Sequence, residues 1–153
     1  MAIEIERKFL INPKEKVPFH LFGVSEVLRQ GYILIGKGKH LRIRLYPNDT
    51  AVLGIKYING PVREEFEYEI PYVEGVIILN KCEYRLGKVR RSGIIGNEHY
   101  DLDVYPNKVR VVEVEFESLE ASKDWDKPEW IGKEITGVKK YSNITLAKQK
   151  LEF

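Results

Sequence analysis

The sequence predicts a mainly β, single-domain protein built from antiparallel strands. Apolar–polar alternation recurs along most of the chain, clusters of Gly, Pro, Asn and Asp interrupt it at short intervals, and helical periodicity is confined to two short stretches. Alternation is the period of a strand with one apolar and one polar face. A chain of 153 residues suits one domain with a real core. No internal repeat, linker or low-complexity segment divides it.

The alternating segments are Ile3 to Leu10, Leu28 to Ile35, Leu41 to Tyr46, Val52 to Tyr57, Glu64 to Ile70, Tyr84 to Arg91, Tyr100 to Tyr105 and Arg110 to Glu117. Turn residues separate many of them: Gly36-Lys37-Gly38, Pro47-Asn48-Asp49, Asn59-Gly60-Pro61 and Pro106-Asn107. Loops this short join antiparallel neighbours. A helix is expected to open at Pro71 and run to Asn80, with Val73, Val76 and Ile77 on one side. A last helix, capped by Ser142 or Asn143, should present Ile144, Ala147 and Leu151 on one stripe. The stretch Ser122 to Gly132, holding Trp125 and Trp130, reads as an irregular loop whose tryptophans pack.

Composition excludes several classes. The 25 basic and 23 acidic residues nearly cancel, to a formal charge of +2, so placement rather than net charge must identify partners. A single cysteine, Cys82, rules out an internal disulfide and any multi-cysteine zinc site; it reads as a small hydrophobe. Charges at Glu4, Glu6, Arg7 and Lys8 stand where a signal peptide needs an apolar core. No apolar run approaches the roughly 20 residues of a membrane helix. The expectation is a cytoplasmic protein without membrane or nucleic-acid partners, because acids balance the bases strand by strand.

Sorting each segment by parity isolates the chemistry. One face carries Glu4, Glu6 and Lys8, then Arg42 with Arg44, then Lys56, then Arg63, Glu65, Glu67 and Glu69. Further along come Lys88 with Arg90, His99 with Asp101 and Asp103, and Glu113 with Glu115 and Glu117. Two arrangements fit. Charged faces are the ordinary solvated side of a half-buried sheet, and alternation alone favours that reading. Alternatively the charged faces line a tunnel. Single-sign rows speak for the tunnel, since like charges two residues apart on one face repel and need a counter-ion. A carboxylate row suits a hard divalent cation. An Arg/Lys row suits a phosphate chain.

The string Glu4-Ile5-Glu6-Arg7-Lys8-Phe9-Leu10-Ile11 resembles the ExExK signature of the CYTH superfamily, the triphosphate tunnel metalloenzymes. It is followed in family order by Gln30-Gly31-Tyr32, Leu41-Arg42-Ile43-Arg44, Gly54-Ile55-Lys56, Arg63-Glu64-Glu65-Phe66-Glu67 and Lys88-Val89-Arg90. Leu102-Asp103-Val104, Val112-Glu113-Val114-Glu115-Phe116 and Gly132-Lys133-Glu134-Ile135-Thr136 complete the series. The resemblance covers Met1 to about Ala147 and is nearest to short bacterial inorganic triphosphatases. It implies a mainly β (α+β) fold: an eight-stranded antiparallel closed β-barrel with charges inside, a few outer helices, and in many members a homodimer.

The implied roles fall on matching positions. Lys8, Arg42, Arg44, Lys56, Lys88 and Arg90 would bind the triphosphate. Glu4, Glu6, Asp103, Glu113 and Glu115 would ligate Mg²⁺ or Mn²⁺, as one or two ions. Glu65 and Glu67 would position metal, water or lysine, and Tyr32 would restrain Lys8 and favour inorganic triphosphate. The expected activity is metal-dependent hydrolysis of inorganic or a related triphosphate. The rivals are a class IV adenylyl cyclase, a thiamine triphosphatase and a non-catalytic polyphosphate-binding module. One departure stands out: Gly137-Val138 precede Lys139-Lys140, where close relatives tend to carry an acid.

Other signals are weaker. Gly31 to Lys37 matches GxxxxGK but lacks the following Ser or Thr and reads as strand plus glycine turn. His20 and His40 are expected at the surface. His99 and Asp101 share the parity of Asp103 and sit at the edge of the row. Glu69 and Glu117 read as rim charges.

Overall fold

The computed structural model describes residues 2–153. Nine strands run β1 (Ala2–Ile11), β2 (Glu26–Gly36), β3 (Lys39–Tyr46), β4 (Thr50–Asn59), β5 (Val62–Ile70), β6 (Tyr84–Ile95), β7 (Glu98–Val104), β8 (Arg110–Phe116) and β9 (Ile131–Glu134). Helices are α1 (Tyr72–Lys81), α2 (Leu119–Asp124) and α3 (Asn143–Lys148). Every long alternating segment is a strand, and Gly31 lies within β2, so no phosphate-binding loop forms there.

The strands pair in the order β5-β4-β3-β2-β6-β7-β8-β1-β9, and β5 also pairs with β1. That last pairing, Ala2 against Glu65 through Ile5 against Val62, closes the first eight strands into an antiparallel ring. β1 carries the seam. Its Ile5–Leu10 stretch pairs β8, while β5 takes the start of the opposite edge and β9 continues it at Phe9 and Ile11. Closure pairs part of the β1 and β5 edges that an open sheet would leave free. The three-residue β3–β4 turn, Pro47 to Asp49, holds Asn48 at φ 66° and Asp49 at φ 56°, left-handed conformations that Asn and Asp tolerate.

Alternation then divides two environments. Outward side chains are largely apolar and covered over two patches, while Ile3, Val27, Tyr57 and Tyr68 remain exposed. Phe9, Tyr100, Leu102, Val112, Val114 and Phe116 form one core. Trp125 packs on it, with ring centroids 5.4 Å from both Phe9 and Phe116. Ile43, Leu45 and Ala51 form a second under α1, with Leu79. The helix approaches closely because Gly75 faces the strand: an added Cβ would lie 2.4 Å from the Cβ of Ala51. Inward side chains are charged over most of the ring. Toward the α3 end they turn apolar, where Tyr32, Leu86, Tyr105, Val111 and Ile135 meet Leu146 and Ala147. The interior is therefore a charged chamber backed by an apolar plug.

Two elements differ from expectation. The stretch Ser122 to Gly132 is not one loop: α2 takes its start and β9 its end. Ser118 caps α2, its hydroxyl accepting from the Ala121 amide. β9 has four residues, too few to show a period, and forms because β5 leaves the edge of β1 free. α1 begins just after Pro71 as expected, and Ser142 rather than Asn143 caps α3. α3 ends at Lys148, so Leu151 packs against the plug from beyond the helix. Among the described residues no helix is long and apolar enough to cross a membrane.

Candidate active site

Parity and register bring the charged rows of the ring strands around one chamber of about 410 Å³. Among the predicted site residues, all but Lys88 and Asp103 line it. Gly137, Val138, Lys139, Ser142, Asn143 and Ile144 form another wall, so the basic pair contributes Lys139 with no acid before it. His99 is exposed at the rim, and Glu69 and Glu117 are exposed as well.

The rows neutralise one another across strands. Lys56 lies opposite Glu65 in register, at 3.1 Å, and reaches Glu4 at 3.5 Å. Arg42 approaches Glu65 at 3.5 Å, and Arg63 pairs with Glu6. Lys8 donates to the Tyr141 carbonyl at 2.7 Å and lies 3.9 Å from Glu113. The lysine is thus restrained by Tyr141 and Glu113, while the Tyr32 hydroxyl accepts from Gln30 at 3.0 Å.

Behind the chamber wall lies a tighter knot. Lys88 and Asp103 are both 0% exposed, and their ion pair measures 2.7 Å. Arg90 grips the same carboxylate with two donors, at 2.7 and 2.8 Å. Arg90 also pairs with Asp101 at 3.2 Å. Asp101 in turn accepts from Ser92 and lies 3.0 Å from His99.

Arg44 is the exception among the cations. It is 5% exposed and has no carboxylate partner among the described residues. Its Nε donates to Gln30 at 3.0 Å and its Nη1 to the Tyr46 hydroxyl at 3.2 Å. These neutral partners orient the guanidinium without discharging it. A buried charge without a counter-charge is costly, so the position fits an anionic ligand. Gln30 stood in the string Gln30-Gly31-Tyr32 without a role and Tyr46 was not singled out from sequence, although Gln30 shares the parity of Tyr32 and Tyr46 that of Arg44.

His40 corrects an expectation. It is not a surface residue: it is 8% exposed and lines the chamber on the inner row of β3. Its parity with Arg42 and Arg44 was the available signal.

Protonation follows from these neighbours. Burial works to raise Glu65, but Lys56 and Arg42 overcome it and bring it down to about 2. Burial acts on Asp103 in the same direction, yet Arg90 and Lys88 hold it well below the carboxylate range. Lys8 and Glu113 share one enclosure. Burial lowers the lysine; it works to raise the acid, but Lys8 and Lys88 outweigh it and lower Glu113. Burial and then Arg90 push Lys88 down to about 7. Two acids move upward: Glu115 through burial and then Glu4, and Glu67 through partial burial and then Glu65.

The acids test as a hard-cation site by their chemistry. Glu6 and Glu115 stand directly opposite each other on β1 and β8, and like charges so placed are destabilising without a counter-ion. Glu4 lies one inner position along β1. An all-carboxylate oxygen set suits Mg²⁺ or Mn²⁺ over softer metals. In the present arrangement no three acidic, histidine or cysteine side chains among the described residues converge as a ready metal cage, because Glu4 and Glu6 are turned to Lys56 and Arg63.

No family model matches the chain. An inorganic triphosphatase from Acetivibrio thermocellus is 33% identical over 152 residues, covering 97% of this chain and 95% of the relative. One from Nitrosomonas europaea is 32% identical over 150 residues, covering 94% and 96%. The solved structure of the inorganic triphosphatase NE1496 superposes with a TM-score of 0.66 at 30% identity, covering 97% of this chain and 96% of that one. With a closed strand ring, inward charged rows and near full-length similarity, the chain belongs to the inorganic triphosphatases of the CYTH tunnel fold.

Proposed function

We propose that this chain hydrolyses inorganic triphosphate to pyrophosphate and orthophosphate with a divalent metal, Mg²⁺ or Mn²⁺. The observation that carries the reading is Arg44, a buried cation on the chamber wall whose only hydrogen-bond partners among the described residues are neutral. Phosphate oxygens supply the missing charge through the guanidinium fork. Arg42, Lys56, Lys8 and Arg90 extend the cationic grip around the chamber, and Lys88 supports it from behind.

Glu4, Glu6, Glu113 and Glu115 are assigned as the metal-holding acids. Asp103, with both oxygens engaged by Lys88 and Arg90, is reassigned as the anchor that aims those two cations. When bound, the metal supplies charge neutralisation on the phosphate chain and activation of water. Glu67, raised by burial and by Glu65, suits acceptance of the proton that the attacking water loses. Arg42, Arg44 and Lys8 hold the charge that develops on the transferring and leaving oxygens. Gln30 and Tyr46 keep Arg44 in place, and Tyr32 closes the wall beside them.

The test is phosphate release from tripolyphosphate, ATP and thiamine triphosphate, each with Mg²⁺, Mn²⁺ or EDTA. Tripolyphosphate should be turned over with metal and not with EDTA. Inertness toward all three substrates with both metals would sink the proposal, and pyrophosphate with cyclic AMP from ATP would replace it by cyclisation. Glu115→Gln should cut turnover by at least about 100-fold while the fold survives, a loss on the scale of removing a principal transition-state contact.

A further inference from the structure

His40 is the one buried polar side chain in the chamber for which the roles above leave no task. Its ring stands edge-on to Tyr32, with centroids 5.4 Å apart and planes at 82°. Neither Nδ1 nor Nε2 has a hydrogen-bond partner among the described residues. Unpartnered polar atoms at this depth are rare in native proteins and call for an explanation. Several apolar residues could pack against Tyr32 without that penalty, so packing alone does not account for an imidazole.

Its position supplies the explanation. His40 precedes Arg42 and Arg44 on the same inward row of β3, at a spacing of roughly 7 Å per step. Across the β3–β4 ladder it stands opposite Lys56. The residue therefore sits between two cations assigned to phosphate, with both ring nitrogens free. Burial, and then Arg42 and Lys56, pull its pKa down to about 4, so it is uncharged at neutral pH. A neutral imidazole keeps one N–H donor and one acceptor. A donor without charge adds a contact to an anion and no further repulsion among Arg42, Arg44 and Lys56.

We propose that His40 is a substrate-binding residue, donating one ring N–H to a non-bridging oxygen of the phosphate chain held between Lys56 and Arg42. This rests on the triphosphatase reading above and names a contact that reading lacks. A hydrogen bond to a charged acceptor is among the stronger ones, and its loss corresponds to about a ten-fold weaker complex.

Three variants test it: His40→Phe keeps the ring volume without a donor, His40→Gln restores a donor, and His40→Ala removes both. Tripolyphosphate binding is titrated calorimetrically in EDTA, steady-state kinetics follow with Mg²⁺, and ligand-free thermal unfolding serves as the control. Phe and Ala should each raise Kd and KM about ten-fold with kcat within about two-fold, and Gln should recover most of that loss. Phe should also melt no lower than wild type without ligand, because it removes two unsatisfied atoms. Stability and affinity then move independently, which a packing role would not produce. Wild-type Kd and KM in His40→Phe would overturn the contact, as would a Gln variant as weak as Phe. If the wild type binds tripolyphosphate without turning it over, the hydrolase reading fails and the contact is still judged by the titration. Failure of the wild type to bind it at all overturns both.

Discussion

Replacing Asp103 by Asn separates two tasks that a carboxylate could have in this chamber. As a metal ligand, Asp103 would matter only when metal is present. As an anchor, it would matter to the bare fold. The geometry gives the size of the second effect. Both carboxylate oxygens are engaged, by Lys88 at 2.7 Å and by two donors of Arg90 at 2.7 and 2.8 Å. Neutralising one partner of a buried pair costs about 3–5 kcal/mol, because the other charge stays buried. Two features pull toward the lower end. Lys88, already brought down to about 7 by burial and Arg90, sheds its proton instead of remaining a bare ammonium. Arg90 cannot deprotonate, but it keeps Asp101 at 3.2 Å. The expected loss is about 3 kcal/mol near pH 7.5, or about 6–12 °C in Tm for a chain of this size. Denaturant and thermal unfolding in EDTA measure it directly. Added tripolyphosphate should recover more stability in the variant than in wild type, since its oxygens replace the lost charge. A loss under about 1 kcal/mol in EDTA would refute the anchor, and a loss appearing only with Mg²⁺ or Mn²⁺ would make Asp103 a ligand.

Acid should weaken the fold through Glu65. Its folded pKa of about 2 lies below the ordinary value of 4.5, so its contribution is complete above pH 4.5 and fades as pH falls toward 2. Lys56→Met should flatten that limb in pH-dependent denaturant unfolding, and parallel curves for the two proteins would contradict the assignment. Gly75→Ala should cost about 1–2 kcal/mol despite the better helix propensity of alanine, because the added methyl meets Ala51 at 2.4 Å and forces α1 off the barrel. Its KM for tripolyphosphate should stay near wild type, since α1 lies outside the chamber.

Much of this was legible in the sequence, for reasons that also mark where legibility ends. Each ring strand has enough residues to display a two-residue period, and the hairpin turns at Asn48-Asp49 and Gly60 announce themselves by residue type. The six residues of α2 and four of β9 show no period. β9 exists only because the β1–β5 pairing stops at Ile5. Which face turned inward could not be read from alternation, because a strand patterned this way looks the same inside out. The structure shows what breaks that symmetry: α1, α2 and Trp125 cover the outward apolar patches around Phe9 and Phe116 and around Ile43 and Ala51, while Ile3, Val27, Tyr57 and Tyr68 stay exposed on the same outer face. Rows of like charge were visible along each strand, whereas the pairs between strands depend on register. The bidentate Arg90–Asp103 grip follows from those two residues being opposite each other on β6 and β7. His40 was misplaced because a lone histidine between Lys39 and Leu41 carries no motif, and only its parity with Arg42 tied it to the site.

The pairing of acids with bases inside the ring bears on how such a chamber can fold before it meets a ligand. A row of buried cations alone would carry a desolvation penalty that the surrounding apolar cores could not offset easily. Here Glu65 serves Lys56 and Arg42 together, Glu6 serves Arg63, and Glu4 lies within reach of Lys56. Under the proposed function, those same acids and bases are the groups that metal and triphosphate take up. A cation drawing Glu4 and Glu6 away would leave Lys56 and Arg63 short of countercharge, and the phosphate chain supplies it. Conversely, phosphate engaging Lys56 would release Glu4 for the metal. Binding of the two then exchanges ion pairs instead of creating isolated charges, so each ligand lowers the cost of admitting the other. Arg44, oriented by Gln30 and Tyr46 and paired with no acid among the described residues, need break no ion pair to engage the phosphate chain.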